Sequence, residues 1–188
     1  MRTTILFCLA LVVSAPLFSQ DFPDLDKSPM DMAYFPSRAA FRAFGKTDAE
    51  KREPLIRVVY SRPQKNGRNI FGETVKFGEL WRVGANESTE VMFFADATVD
   101  GTKLEKGRYT LVVVPSEDSW EVHFTTDLDG WGRYNFDPEK HTVAKITVPT
   151  EKTSGTVEAL GVFFKEVDGG AHMVIGWDDT MVAVPISM

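Results

Sequence analysis

Arginines, carboxylates and glycines are gathered in two stretches of this chain. The first runs from Tyr60 to Gly72 (YSRPQKNGRNIFG) and holds Ser61, Arg62 and Arg68. The second runs from Phe77 to Glu90 (FGELWRVGANESTE) and holds Trp81, Arg82, Asn86, Glu87 and Glu90. A guanidinium is a planar fork of fixed donors, suited to carboxylate, sulfate or the hydroxyls of a sugar. Asn86, Glu87 and Glu90 bring acceptors, and Trp81 or the more distant Trp131 brings a ring for stacking. Gly67, Gly72, Gly78 and Gly84 permit tight turns and close backbone approach. If the two stretches meet in space, these groups form a ligand pocket. Glu87 in such a pocket is a candidate general acid or base if burial raises its pKa. A second reading stands beside this one. Arg62 and Arg82 can instead form buried ion pairs with Glu87 or Glu90 and tie down two long loops.

Other chemistry is thin. His123, His141 and His172 lack metal-ligand spacing. Asp127-Leu128-Asp129-Gly130 begins like a calcium loop but lacks the later ligands, so a plain turn is expected. Ser61 lies in no G-x-S-x-G elbow, and no glycine-rich phosphate loop precedes a helix. No metal and no cofactor is called for. His123 is expected to face solvent, and Trp120, Trp131 and Trp177 to pack in the core or on the sheet rather than to serve as sugar platforms.

The elements that must position these groups read as strands. Leu55–Tyr60, Thr89–Ala95, Arg108–Val114, Trp120–Thr125, His141–Val148, Val157–Val167, Met173–Trp177 and Met181–Ile186 are rich in β-branched and aromatic residues. Trp120, Val122 and Phe124 alternate with Glu121 and His123, the period of a strand with one face buried. Turn signals separate the runs: Asp100-Gly101, Lys106-Gly107, Asp129-Gly130, Gly169-Gly170 and Asp178-Asp179. Val99–Leu104 reads as a hairpin whose Asp-Gly pair supplies positive φ. No helix of crossover length separates the strands. The fold expected is therefore all-β: a single antiparallel β-sandwich, jelly-roll-like or a flattened barrel. Residues 21–53 differ, with Pro23, Pro29 and Pro36 among charges. They read as an extended N-terminal arm that docks Met32, Tyr34 and Phe35 on the body, with a short helix at 37–44. The body is 54–188.

Residues 1–20 carry a basic start, the apolar run Ile5–Val13 and a small-residue exit. This is the pattern of a cleavable signal peptide, and the run is shorter than the roughly 20 residues that span a bilayer. Cys8, the one cysteine, lies inside that run, too early for a lipoprotein anchor. The processed chain then has no thiol and no disulfide, and a periplasmic or secreted location is expected. The 188 residues carry 21 basic and 27 acidic groups. Loss of residues 1–20 removes only Arg2, so the processed charge is 20 − 27 = −7. That sign repels phosphate backbones and anionic membrane surfaces, so nucleic acid is excluded as a partner and no stable membrane insertion is expected.

SRPQKNGRNIFG and FGELWRVGANESTE resemble the exported bacterial β proteins of domain of unknown function 2911, with their SRPxxxGRxIFG and ELWRxGANE motifs. Further likeness lies in LDKSPMDMAYFP (Leu25–Pro36), DGTKLEKGRYTLVVVP (Asp100–Pro115), DLDGWGRYNFD (Asp127–Asp137) and GWDDTMVAVPIS (Gly176–Ser187). The resemblance implies an extracytoplasmic β domain and no reaction. Three functions are therefore carried forward. One is a non-catalytic binding or interaction module of the cell envelope, with a small molecule, a glycan or an envelope protein as partner. Another is a hydrolase or lyase using Glu87 and an arginine clamp, with His123 or Glu90 as second group. The third is a structural component of an envelope assembly, which needs an exposed apolar patch at Val112, Phe163 and Val174.

Overall fold

The computed structural model describes residues 22–132 and 136–188. The expected signal segment, Cys8 and part of the DLDGWGRYNFD stretch lie outside them. Nine strands form one antiparallel sheet in the order β1-β2-β3-β6-β7-β8-β9-β4-β5. They are β1 Met30–Phe35, β2 Ile56–Ser61, β3 Thr89–Phe93, β4 Ala97–Val99, β5 Thr102–Leu104, β6 Gly107–Pro115, β7 Ser119–Thr125, β8 Thr142–Val167 and β9 Gly170–Ser187. One short helix, α1, spans Pro138–His141, and a 3-10 turn spans Ala39–Phe44. Among the described residues no helix is long and apolar enough to cross a membrane.

The alternation read from the sequence sets the core. Ile56, Val58 and Tyr60 point inward from β2, and Trp120, Val122 and Phe124 from β7, all nearly or fully buried. β8 joins the two halves of the sheet. Its first part pairs with β7 (Ala144 opposite Phe124) and its later part with β9 (Phe163 opposite Val174). The sheet then folds over onto itself. The Phe35 and Phe164 rings lie 6.1 Å apart, and Tyr60 Oη accepts a hydrogen bond from Val162 N at 3.0 Å. The chain after β2 is stitched to β8 by Lys65 N to Glu158 O (2.7 Å) and Leu160 N to Pro63 O (3.1 Å). The sheet remains open, so of the two forms expected the flattened barrel is not the one adopted.

Three local expectations need correction. Asp178-Asp179 is not a turn. Asp178 has φ of 58° and sits at a register shift inside β9, so the separate strands expected at 173–177 and 181–186 are one. The same shifts let β8 run unbroken through the exposed, polar stretch between the two strands expected at 141–148 and 157–167. The last turn is also displaced: Val167 pairs with Gly170, and Gly169 takes the positive φ of 71°. By contrast the Asp100-Gly101 hairpin forms as expected, with φ of 46° and 74°.

The arm docks through its backbone. Met30–Phe35 adds to β2 as edge strand β1, and only Phe35 of its apolar set reaches the core. Met32, Phe41 and Phe44 stay exposed.

Candidate functional site

The two polar stretches meet. Ser61, at the end of β2, is buried, and its Oγ accepts from Ala85 N and donates to Ala85 O, both at 2.6 Å. Gly84 makes this seam possible, since a Cβ there would lie 2.7 Å from Ser61 Oγ. The second stretch is laid along β6 by paired hydrogen bonds between Trp81 and Val113 (2.7 and 2.8 Å) and by Gly78 N to Pro115 O at 2.8 Å. The first is pinned from beneath by Lys65. Its ammonium reaches Asp178 at 3.1 Å and the Arg68 carbonyl, and this ion pair is mostly shielded from water.

Between the stretches lies a cleft of about 270 Å³. Pro63, Val75, Leu80, Gly84 and Ala85 contribute its apolar lining, and Arg68, Lys76, Arg82 and Glu79 its charges. Trp81 and Trp177 form one wall, with rings 6.2 Å apart and inclined by 18°. Trp120 packs behind Trp81 edge to face at 5.6 Å. Trp81 is only 8 % exposed, so it presents an edge to the cleft and is no open stacking platform. Arg68 is partly committed, donating from Nε to Lys65 O (2.9 Å) and from Nη2 to Gln64 O (2.5 Å). Arg82 is not: its Nε is buried without a hydrogen-bond partner among the described residues. Gly132 lies against it, and a Cβ there would stand 2.6 Å from Arg82 Nη1.

Four buried side-chain atoms among the described residues lack a partner: Arg57 Nε, Arg82 Nε, Trp120 Nε1 and Thr125 Oγ1. Trp120 and Thr125 are enclosed in the sheet. Arg57 has Glu90 at 3.5 Å and the Phe94 ring at 5.9 Å. Arg82 alone of these lines the cleft.

The ion pairs expected of Arg62 and Arg82 with Glu87 or Glu90 are absent among the described residues. Arg62 reaches back to the arm, pairing with Asp31 at 3.0 Å and donating to Leu160 O at 3.0 Å, so it ties β1 to β8. Glu90 is turned outward by the alternation of β3. Across the β3–β6 ladder it meets Arg108 Nε at 2.6 Å, and Arg108 in turn meets Asp129. Glu87 is exposed and lines a different cleft with Glu90, Thr110 and Asp129. Asn86 takes φ of 61° and donates to Asp26 at 3.0 Å. Trp131 is 59 % exposed and does not line the cleft. The cleft thus gathers Arg68, Trp81 and Arg82, with Ser61 behind it. Arg62, Asn86, Glu87, Glu90 and Trp131 lie elsewhere.

His123 also departs from expectation. It is 7 % exposed rather than solvent-facing, because Leu80, Pro138 and Glu139 surround the outer face of β7. Lys76 was missed by sequence reasoning because it lies between the two recognised stretches. Arg57, Arg108 and Asp129 were missed because their meeting with Glu90 depends on strand register. Among the described residues no cluster of three His, Cys, Asp or Glu is placed to hold a metal ion.

A family model described as a protein of unknown function, DUF2911, matches residues 45–186. The chain belongs to DUF2911. The DUF2911 match takes in both polar stretches, Arg82 and the indole wall, and begins after the arm strand β1. No curated protein and no solved structure matches the chain. Membership of DUF2911 therefore brings a domain and no reaction.

Proposed function

We propose that this DUF2911 protein is an exported binding module of the bacterial cell envelope, and that its cleft at Arg82 holds a small organic anion without turning it over. A carboxylate, a sulfate or an acidic sugar would bring an acceptor to Arg82 Nε, which has none among the described residues. The single observation behind this reading is the buried, unpartnered Nε of Arg82 on the wall of a cleft that also holds Arg68 and Lys76. A buried donor left without an acceptor costs about 1–3 kcal/mol. Such groups call for an explanation, and a ligand oxygen in line with the fork is the simplest. The local charge also runs against the acidic whole, which favours a dedicated anion site over general attraction. Export is supported by the leader pattern of residues 1–20.

The rival readings have less support. Glu87, the expected acid or base, is exposed and outside the arginine cleft. Val112 and Val174 are buried, leaving Phe163 alone of the apolar patch expected for an assembly component.

The test is calorimetric titration of the processed protein with glucuronate, sulfate and acetate, using Arg82→Met as control. The expected result is saturable binding of at least one anion that Arg82→Met abolishes and Glu87→Gln leaves intact. Equal binding by wild type and Arg82→Met, or no binding of any of the three, overturns the reading.

A further inference from the structure

The outer face of β7 holds a second constellation, separate from the Arg82 cleft. His123 Nε2 lies 2.8 Å from Glu121 Oε1, and His123 Nδ1 lies 3.1 Å from Thr142 Oγ1. Glu121 and His123 are two apart on β7, so the period of the strand puts both side chains on one face. Thr142 is the first residue of β8 and the C-cap of α1, and its N–H donates to Pro138 O. The three line a cleft of about 410 Å³ with Leu80, Val114 and Lys145.

The hydrogen bonds assign the protons. Burial acts to raise the pKa of Glu121, but hydrogen bonds from Lys145 and His123 outweigh it and hold the group below the usual carboxylate range. An ionised carboxylate accepts only, so the His123 Nε2 must carry a hydrogen. In the neutral ring Nδ1 is then an acceptor, and the Thr142 hydroxyl is its donor. A hydroxyl, a base that accepts its proton and a carboxylate that orients the base are the three parts of an activated nucleophile.

We propose that Thr142, His123 and Glu121 form a second site that transfers acyl groups from small esters to water, with Thr142 as nucleophile, His123 as base and Glu121 as positioning residue. Thr142 Oγ1 bonds to the ester carbonyl carbon as its proton passes to His123 Nδ1. The C–O bond to the leaving alcohol breaks and takes that proton. Water, giving its proton to the same Nδ1, then adds to acyl-Thr142; the bond to Oγ1 breaks, the free acid leaves and the hydroxyl is restored. Glu121 stabilises the charged ring in both halves. Lys145, 3.1 Å from Glu121 Oε2, is the cation at hand to offset charge on the carbonyl oxygen. Leu80 and Val114 give the acyl chain an apolar lining, so short apolar acyl groups fit best.

The experiment uses the full processed chain and p-nitrophenyl acetate. Nitrophenolate release is followed with time, and the acetylated peptide is then mapped by mass spectrometry. The expected result is a burst of about one equivalent and acetyl on the peptide that holds Thr142. Thr142→Val removes both, Thr142→Ser keeps both, and His123→Gln slows the burst by about 100-fold or more. Glu121→Gln moves the acid limb of the pH–rate profile to lower pH, a shift that lost packing does not produce. Glu87→Gln, at a position outside both clefts, leaves the burst unchanged. Acetyl found on lysines alone, or a burst that survives in Thr142→Val, overturns the proposal. Should Thr142→Val fail to fold, the Thr142→Ser and His123→Gln results decide.

Discussion

Arg82 and Arg108 carry the same planar fork to either end of one short stretch of chain, residues 82–90, and they end differently. Arg108 meets Glu90 and Asp129, and Glu90 is shared with Arg57. Each charge there has an opposite at hand, although Arg57 Nε makes no hydrogen bond among the described residues. Arg82 lies in a cleft with Arg68 and Lys76, and its Nε is buried without a partner. The first arrangement holds two strands in register and gives nothing to a ligand. The second sets Arg68, Lys76 and Arg82 round one cleft with Glu79 and leaves an Arg82 donor idle at the cleft wall. The difference separates a structural arginine cluster from a binding one, although the two look alike in sequence.

Substitutions tell the two arginines apart. The largest effect is expected at Trp120, fully buried against Trp81 and Phe71 behind the cleft wall. Trp120→Ala should cost about 3–5 kcal/mol by urea denaturation, since it opens a cavity in the core under the cleft. Gly84→Ala comes next. Its Cβ would meet Ser61 Oγ at 2.7 Å, and the seam between the two polar stretches must shift. The expected cost is about 1–3 kcal/mol, with anion affinity at Arg82 lost in the same variant. A calorimetric titration that finds wild-type affinity in Gly84→Ala would separate the seam from the cleft.

Glu90→Ala tests the other side. It leaves Arg57 and Arg108 without their shared carboxylate. Because the group is only partly shielded, the denaturation midpoint should fall by the equivalent of about 1 kcal/mol. Anion binding at Arg82 should be untouched. Acid provides a milder probe of the paired charges. The hydrogen bond from Lys152 is the first cause holding Asp179 below its usual range, and that from Arg52 does the same for Glu166. A carboxylate whose folded pKa is depressed adds stability above its unfolded pKa and loses it as pH falls through the folded value. The urea midpoint should therefore be insensitive to these two groups above about pH 5 and decline toward pH 3. Lys152→Met should make that decline shallower.

Legibility in the sequence followed the range of the interaction. The inward set of β7 and the Asp100-Gly101 hairpin are local patterns, and each was read correctly. Arg68 and Arg82 could be singled out, because two glycine-rich polar stretches stand out from β-branched strands, but that both line one cleft depends on the fold. Partner choice was not legible. Arg108 finds Glu90 only because Met92 stands opposite Arg108 in the β3–β6 register. Arg62 finds Asp31 because the arm becomes a strand beside β2. The continuity of β9 was hidden for a related reason. Asp178 looks like a turn residue and does take positive φ, but Lys65 and Ile70 N bind its carboxylate and hold it as a bulge inside the strand. His123 looked solvent-facing by alternation, and only the covering residues Leu80, Pro138 and Glu139 reversed that.

The most direct test of the account is equilibrium urea denaturation of Arg82→Met against the wild type in a buffer free of sulfate and carboxylate. Methionine keeps the apolar stem and removes the buried, unpartnered donor. The account predicts a midpoint unchanged or raised, with the same m value. A loss of about 2–3 kcal/mol would show that Arg82 holds the fold together, and would contradict its assignment to an anion site.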